Sequence, residues 1–71
     1  MRDPKRLDRF YREFAHLHKT YFPDFRFTQL YSWFLGWHLE AYGNDAFYVE
    51  DDKLIIRLKE FFKSVCPNYD E

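Results

Sequence analysis

The stretch 22–46, FPDFRFTQLYSWFLGWHLEAYGNDA, decides the fold because it places one helical segment between two helix breaks. Its FPD start and its YGNDA end contain the residues that interrupt helices. Between them, apolar residues recur three and four positions apart on two neighbouring faces. They are Phe27, Leu30, Phe34, Trp37 and Ala41 on the first face, and Tyr31, Leu35, His38 and Tyr42 on the second. This wide apolar arc predicts a central helix, with Asp24 as its N-cap.

One amphipathic helix is predicted before this stretch and another after it. The first begins with Asp3 as its N-cap and Pro4 as its first residue, where the missing N–H of proline costs nothing. The third begins in the acidic segment 50–52, where both Glu50 and Asp51 fit the cap position. The inner residues are Leu7, Phe10, Phe14, Leu17 and Tyr21 in helix 1, and Leu54, Leu58, Phe61 and Val65 in helix 3.

Together these elements predict an all-α fold, a small three-helix orthogonal bundle with a short irregular segment before helix 3. We expect one helical domain over residues 1–71, with its core at about residues 4–65 and a frayed C-terminal tail at 67–71. In the irregular segment, Phe47 and Tyr48 are expected to form a buried turn and fill the core. Gly36 weakens the central helix, so we expect another helix or loop to approach it closely.

Composition narrows the possible functions. Aromatic residues make up 24% of the 71 residues, which supplies apolar surface for the core of a chain this short. The single cysteine, Cys66, excludes an intramolecular disulfide and favours a cytoplasmic location. Because no signal peptide or spanning segment is recognisable, no membrane association is expected. The net charge of −1 argues against general polyanion binding, although residues 1–22 lean basic and residues 23–52 are acidic.

No constellation of catalytic or metal-ligating residues is recognisable in the sequence. Asp45 and the acids at 50–52 do not follow the spacing of a calcium loop, and helix capping explains them. His16 and His18 are two residues apart, so they point in nearly opposite directions on a helix. Cys66 precedes a proline at a helix end, where the helix dipole disfavours a thiolate. We therefore expect a non-enzymatic protein with no cofactor and no metal site.

The aromatic excess predicts a binding surface on the central helix. Three short helices offer this helix only two neighbours, so part of its apolar arc is expected to stay accessible. The candidate surface consists of Tyr31, Trp33, Leu35, Trp37 and Tyr42. The first predicted function is therefore a small protein-interaction module, which binds an unknown protein partner or a second copy of itself. The alternative, that every ring is used in the chain's own core, stays open.

Nucleic-acid binding through helix 1 is the alternative function. A basic stripe lies opposite the apolar stripe of this helix, where it can meet a phosphate backbone. The stripe consists of Lys5, Arg9, Arg12, His16 and Lys19. Against this function, Asp8 and Glu13 lie beside the stripe, and helices 2 and 3 lack the outward Arg, Asn and Gln of a recognition helix. A charged face exposed to solvent is the simpler interpretation.

Two motifs connect the chain with other proteins. Residues 23–30, PDFRFTQL, follow the pattern P-D-x-R-x-x-Q-L, and residues 45–54, DAFYVEDDKL, follow D-x-F-Y-x-E-D-D-x-L. In these motifs the chain resembles a group of short, uncharacterised helical proteins from bacteria and bacteriophages. The resemblance implies a compact helical fold and a bacterial or phage origin, and it implies no activity and no site residues. Arg26 is the only lysine or arginine in the segment 23–52, so we expect it to pair with an acid at 50–52.

Overall fold

The chain forms a bundle of three helices in a computed structural model that describes residues 3–69. Helix α1 spans Arg6–Tyr21, α2 spans Phe27–Tyr42 and α3 spans Asp51–Val65, and a short 3₁₀ turn, Ala46–Tyr48, lies between α2 and α3. The predicted all-α three-helix bundle is therefore confirmed, as is the short irregular segment before the third helix. Within the described residues, no helix has the length and apolar character needed to cross a membrane.

Helix α3, rather than α2, is the central helix of the bundle. It packs against both α1 and α2, whereas α1 and α2 make few direct contacts with each other. The buried core consists of Ile55, Leu58, Phe61 and Phe62 from α3, together with Leu17, Leu30, Phe34, Ala46 and Cys66. The prediction that helix 2 is central is wrong, because the width of an apolar arc does not show which helix lies between the other two.

The start of α1 differs from the predicted one. The carboxylate of Asp3 accepts a hydrogen bond from the Lys5 N–H at 3.0 Å, and the Arg6 N–H donates to the Asp3 carbonyl at 3.2 Å. These bonds form a tight turn over residues 3–6, and regular helix begins only at Arg6. Asp3 therefore caps the turn and not the helix, and Pro4 lies inside that turn.

The start of α2 also lies later than predicted. A turn at residues 22–25 is closed by a backbone hydrogen bond of 3.1 Å, and Asp24 lies inside it. The helix begins at Phe27, where the side-chain oxygen of Gln29 accepts the N–H of Arg26 at 2.9 Å. The prediction of Asp24 as the N-cap is wrong, because the turn separates it from the helix and Gln29 satisfies the free N–H instead.

The end of α2 and the start of α3 follow the sequence signals more closely. Gly43 takes a left-handed conformation, with φ of 73°, and its N–H donates to the Leu39 carbonyl at 2.9 Å. This is the usual helix stop at glycine. Glu50 occupies the N-cap position of α3, and Asp51 and Asp52 lie in its first turn. Of the two caps that fitted the sequence, the structure therefore has Glu50.

The turn between α2 and α3 buries a different residue from those predicted. Ala46 lies in the core, while Phe47 and Tyr48 are 75% and 84% exposed. The carboxylate of Asp45 accepts the N–H of Phe47 at 3.0 Å and holds the turn. A 3₁₀ turn has about three residues per turn, so its three side chains point in three different directions. Only one of them can face the core, and the prediction that both rings fill it is wrong.

The chain continues for a short distance in an ordered form after α3. The N–H of Tyr69 donates to the Cys66 carbonyl at 3.2 Å, and the Tyr69 ring lies 5.1 Å from the Tyr21 ring of α1. Residues 67–69 therefore fold back towards α1, whereas a frayed tail was expected over 67–71. Residues 70 and 71 lie outside the part of the chain that the structure describes.

Candidate interaction surface

Helix α2 has a buried inner stripe and an exposed outer face. The inner stripe, Leu30, Phe34 and His38, is completely buried in the bundle. On the opposite side of the helix most residues are exposed, and Glu40 is the only charged side chain between positions 27 and 42. A surface helix normally turns charged residues towards solvent. The outer face of α2 instead presents mostly apolar side chains.

Large apolar residues form a ridge along one side of this outer face. Phe27, Tyr31, Leu35 and Leu39 follow each other at intervals of four, so they line up along the helix. Phe27 and Leu39 are 54% and 56% exposed, Tyr31 is also exposed, and Leu35 is half-buried against the core. The Phe27 and Tyr31 rings stack with their centres 5.5 Å apart. We call these four residues the α2 ridge.

Two tryptophans lie on the other side of the outer face. Trp33 is exposed, although its ring contacts Phe61 of α3 edge-on at 5.1 Å and Phe22 at 5.4 Å. Trp37, four residues further on, is half-buried and lies 5.6 Å from the same Phe61 ring. These ring contacts fix the position of Trp33 while part of its surface remains open to solvent.

Small residues separate the ridge from the tryptophans. Thr28, Ser32 and Gly36 also follow each other at intervals of four, and all three are exposed. We call them the α2 valley. Apart from its two chain neighbours and the backbone of α2 itself, no atom of the described residues lies within 4 Å of the position that a Cβ on Gly36 would occupy. The prediction that a helix or loop of this chain approaches Gly36 closely is therefore wrong for the part of the chain that the structure describes.

The five residues predicted as a partner surface lie on both sides of the valley. Tyr31 and Leu35 belong to the ridge, Trp33 and Trp37 lie opposite, and Tyr42 lies at the C-terminal end of α2. The alternative in which every ring is used in the core is wrong, because Tyr31, Trp33 and Tyr42 remain exposed. Sequence reasoning missed two members of the face, Phe27 and Leu39. The four-residue repeat 27, 31, 35 and 39 was the signal that could have identified them.

A polar network around the buried His38 connects α2 to α3 and to the turn after α2. Arg57 Nη1 lies 2.8 Å from His38 Nε2, and His38 Nδ1 lies 2.9 Å from the Asn44 carbonyl oxygen. A guanidinium group only donates hydrogen bonds, so Nε2 must accept. His38 is therefore neutral, and its Nδ1–H donates to Asn44. Sequence reasoning missed this role, for which a histidine within an apolar stripe was the only signal.

Tyr42 is tied to the same network. The Arg57 guanidinium lies 4.2 Å from the centre of the Tyr42 ring, and the Tyr42 hydroxyl donates a hydrogen bond to the Glu60 carboxylate. This hydrogen bond to a negative acceptor raises the pKa of Tyr42 above its ordinary value of 10.0, and partial desolvation acts in the same direction. Of the five predicted surface residues, Tyr42 is thus the one with polar bonds to α3.

The basic stripe of α1 is exposed, and the carboxylate of Glu13 forms an ion pair with one of its residues, Arg9. All five of its residues, Lys5, Arg9, Arg12, His16 and Lys19, are exposed. Glu13 accepts hydrogen bonds from Arg9 Nε at 3.0 Å and from Lys59 Nζ of α3 at 2.9 Å. The Lys59 hydrogen bond, together with Arg9, lowers the pKa of Glu13 below its ordinary value of 4.5. Glu13 is therefore negative at neutral pH and offsets part of the positive charge of the stripe.

An open groove of about 710 Å³ lies between α1 and α3. Phe10, Ile55 and Ile56 contribute apolar side chains to its lining. Arg6 Nε and Asp51 Oδ2 form an ion pair of 2.8 Å across it. Arg6, rather than Arg26, is thus the arginine that pairs with the acidic segment 50–52 in the described residues.

The remaining candidate groups for chemistry are isolated. Cys66 is a free, buried cysteine, and burial raises the pKa of its thiol. A raised pKa disfavours the thiolate, which is the reactive form. His18 Nε2 lies 2.7 Å from the Phe25 carbonyl oxygen and has a structural partner. Among residues 3–69, no three His, Cys, Asp or Glu side chains lie together in a way that could hold a metal ion.

Comparison with known proteins identifies no relative of this chain. No family model, no curated protein and no solved structure matches it. The resemblance of its two motifs to short bacterial and phage proteins stays a prediction. A fold of this simple kind serves many functions, so function has to be argued from the surface itself.

Proposed function

We propose that this chain is a small non-enzymatic protein-interaction module and that the outer face of α2 is its binding surface. The observation that supports this function best is that α2 presents large apolar residues to solvent on both sides of the valley. Contiguous exposed apolar surface usually marks a site where another molecule binds. Trp and Tyr, which this face contains, are also the residues that most often dominate binding energy.

The packing of these rings also suits a binding role. Trp33 is held against Phe61 and Phe22, and Tyr31 is stacked on Phe27. Side chains that are already fixed lose little conformational entropy when a partner covers them. The single charge on α2, Glu40, leaves little polar surface that a partner would have to desolvate. A partner can therefore gain affinity from apolar contact with α2 at low cost.

Site-directed photo-crosslinking in cells that express the full chain tests this function. A benzophenone amino acid replaces Leu39 on the outer face, and in the matched control it replaces Ile56 on α3. The two positions are 56% and 57% exposed, so accessibility does not distinguish them. We expect a discrete adduct from position 39 and much less from position 56, because only position 39 lies in the proposed interface.

A second substitution ties the adduct to the proposed surface. Tyr31→Ser removes a ridge side chain whose only described ring contact is with Phe27, so the fold should tolerate it. The same change should reduce the adduct from position 39, because the partner loses an aromatic contact. Equal yields from positions 39 and 56, or no adduct from position 39, would contradict the proposed function.

Nucleic-acid binding through α1 remains the second candidate, since all five residues of its basic stripe are exposed. It predicts that the chain binds labelled DNA or RNA at low salt and that affinity falls steeply as salt rises. The double substitution Arg12→Glu and Lys19→Glu should abolish such binding, whereas Lys53→Glu on α3 serves as the control. Fluorescence anisotropy that shows no binding at low salt would exclude this function.

A further inference from the structure

We infer that the partner of the α2 outer face is a second copy of this chain, and that the two α2 helices cross at Gly36 in a symmetric dimer. The inference rests on the proposed function and names the partner. Its basis is the shape of the outer face, where the row of large residues in the α2 ridge lies beside the row of small residues in the α2 valley. Both follow the four-residue spacing along the same helix.

The ridge and the valley fit a copy of themselves. Helices pack when the ridge formed by residues four apart on one helix lies in the groove of the other, with the axes crossing at about 50°. A two-fold axis requires one surface patch that is complementary to itself. α2 meets this requirement, because the ridge of each copy can lie in the valley of the other.

Within residues 3–69, no contact explains the glycine at position 36. A glycine in the middle of a helix lowers helix stability, and no neighbouring atom lies within 4 Å of its missing Cβ. Its backbone is also ordinarily helical, since Gly43 is the only described residue with a positive φ. A second helix that approaches the valley closely does need a residue without a side chain at this point, and the dimer supplies that helix.

The charge on the outer face favours a copy of this chain over a charged partner. A nucleic acid or an anionic membrane surface is held by Lys and Arg, and positions 27–42 contain neither. Glu40 is the one charged residue there, and it continues the row of Thr28, Ser32 and Gly36 by one further turn. Each copy of α2 therefore brings a single carboxylate to the contact.

The exposed area is of the size that a weak dimer uses. Tyr31, Trp33 and Leu39 expose between 40% and 56% of their surface. At about 200 Å² for each large side chain, they offer about 270 Å² per copy and about 550 Å² in a pair. Leu35 and the valley residues add to this area, so the interface lies below the roughly 1,000 Å² of a stable contact and the dimer depends on concentration.

Light scattering behind size-exclusion chromatography tests the dimer with the full chain over a range of concentrations. We expect the mass of wild type to rise towards twice that of one chain as concentration increases. Gly36→Gln should show the mass of one chain, because a long side chain fills the valley and weakens association by more than about tenfold. The substitution should not harm the fold, since the space above Gly36 is open and Gln is the better helix former.

Two further variants keep the result interpretable. Leu39→Ser removes a ridge residue and should also give monomers, while Ile56→Ser removes an equally exposed apolar residue from α3 and should leave the dimer intact. Circular dichroism and thermal melting confirm that each variant is folded. If Gly36→Gln does not fold, the comparison of Leu39→Ser with Ile56→Ser decides the inference.

Each other outcome contradicts the inference in an identifiable way. A wild type that remains monomeric up to about 1 mM shows that α2 has no affinity for its own copy. A dimer that survives both Gly36→Gln and Leu39→Ser uses another surface. If the position 39 adduct contains a different protein, the inferred dimer is wrong while the proposed function stands. If position 39 gives no adduct at all, the proposed function fails as well.

Discussion

The seam between α1 and α3 and the outer face of α2 show two opposite uses of a helix surface. At the seam, apolar residues are buried and charged residues close the edge, with ion pairs Arg6 to Asp51 at 2.8 Å and Lys59 to Glu13 at 2.9 Å. Helix α2 buries its inner stripe against α3, yet its outer face is also apolar. The fold of one chain accounts for the seam. It does not account for the outer face, where large apolar side chains remain exposed.

The largest expected effect comes from breaking the contact that holds α2 on α3. Phe61 is completely buried, and its ring lies 5.1 Å from Trp33 and 5.6 Å from Phe34. Phe61→Ala should destabilise the fold by about 3 to 5 kcal/mol, because a large cavity opens between the two helices. A domain of this length has a total stability of only about 4 to 10 kcal/mol. Urea unfolding followed by circular dichroism measures the loss.

The same substitution at Phe47 is the matched control for this prediction. Phe47 is 75% exposed and lies on the 3₁₀ turn, so Phe47→Ala should change stability by less than about 0.5 kcal/mol. A large loss at Phe47 would restore the sequence-based expectation that this ring fills the core. A small loss at Phe61 would mean that α2 is not held on α3 by this ring.

The next largest loss of stability is expected when the polar network around His38 is removed. His38→Leu removes the partner of the Asn44 carbonyl and of Arg57, so two partly buried hydrogen bonds are lost. We expect a loss of about 2 to 3 kcal/mol, measured by the same unfolding experiment. Nitrogen NMR shifts of the His38 ring provide an independent check, since Nδ1 should carry the proton. A ring protonated only at Nε2 would contradict the described network.

The ion pair between Glu13 and Lys59 at the seam should contribute less to the free energy of unfolding, and this contribution should depend on pH. The hydrogen bond from Lys59 lowers the pKa of Glu13 below 4.5, so the folded state binds this proton less readily than the unfolded state. The resulting stability is present above pH 4.5 and is lost as pH falls through the folded pKa. Glu13→Gln should therefore cost up to about 1 kcal/mol at pH 7.

Urea midpoints of wild type and Glu13→Gln across the acid range measure this contribution. The difference between the two proteins should shrink towards zero in acid, because Glu13 is then neutral in both states. Glu40→Gln on α2 is the control and should show little difference at any pH. A difference between wild type and Glu13→Gln that persists unchanged in acid would show that the ion pair with Lys59 is not its cause.

Much of the fold was predictable from the sequence, because each helix repeats its apolar residues with the helical period. Helix starts were less predictable, since they depend on competition between nearby side chains. Asp24 was the better cap by residue type, but a turn removes it from the helix and Gln29 bonds the free N–H. The central position of α3 was not predictable either, since it follows from long-range packing that periodicity does not report.

The candidate surface was predictable in part for a related reason. The sequence predicted exposed rings on helix 2, and Tyr31 and Trp33 are exposed. Phe27 was assigned to the core stripe and proves 54% exposed, although its ring lies 5.9 Å from that of Phe14, because it stands at the first residue of α2. Gly36 signalled a close approach, but no part of the described chain makes one. Exposure depends on where neighbours lie, and residue spacing does not report that.

The smallest expected effect concerns Tyr42, which lies where the inner and outer faces of α2 meet. Its hydrogen bond to the Glu60 carboxylate raises its pKa above 10.0, so Glu60→Gln should lower that pKa towards 10.0. A carbon NMR titration of the Tyr42 ring measures the change, and Tyr42→Phe identifies the signal. The stability that comes from this bond is present below the unfolded pKa and is lost as pH rises through the folded one. A pKa that does not respond to Glu60→Gln would separate Tyr42 from α3 and place its hydroxyl among the groups of the outer face that a partner can reach.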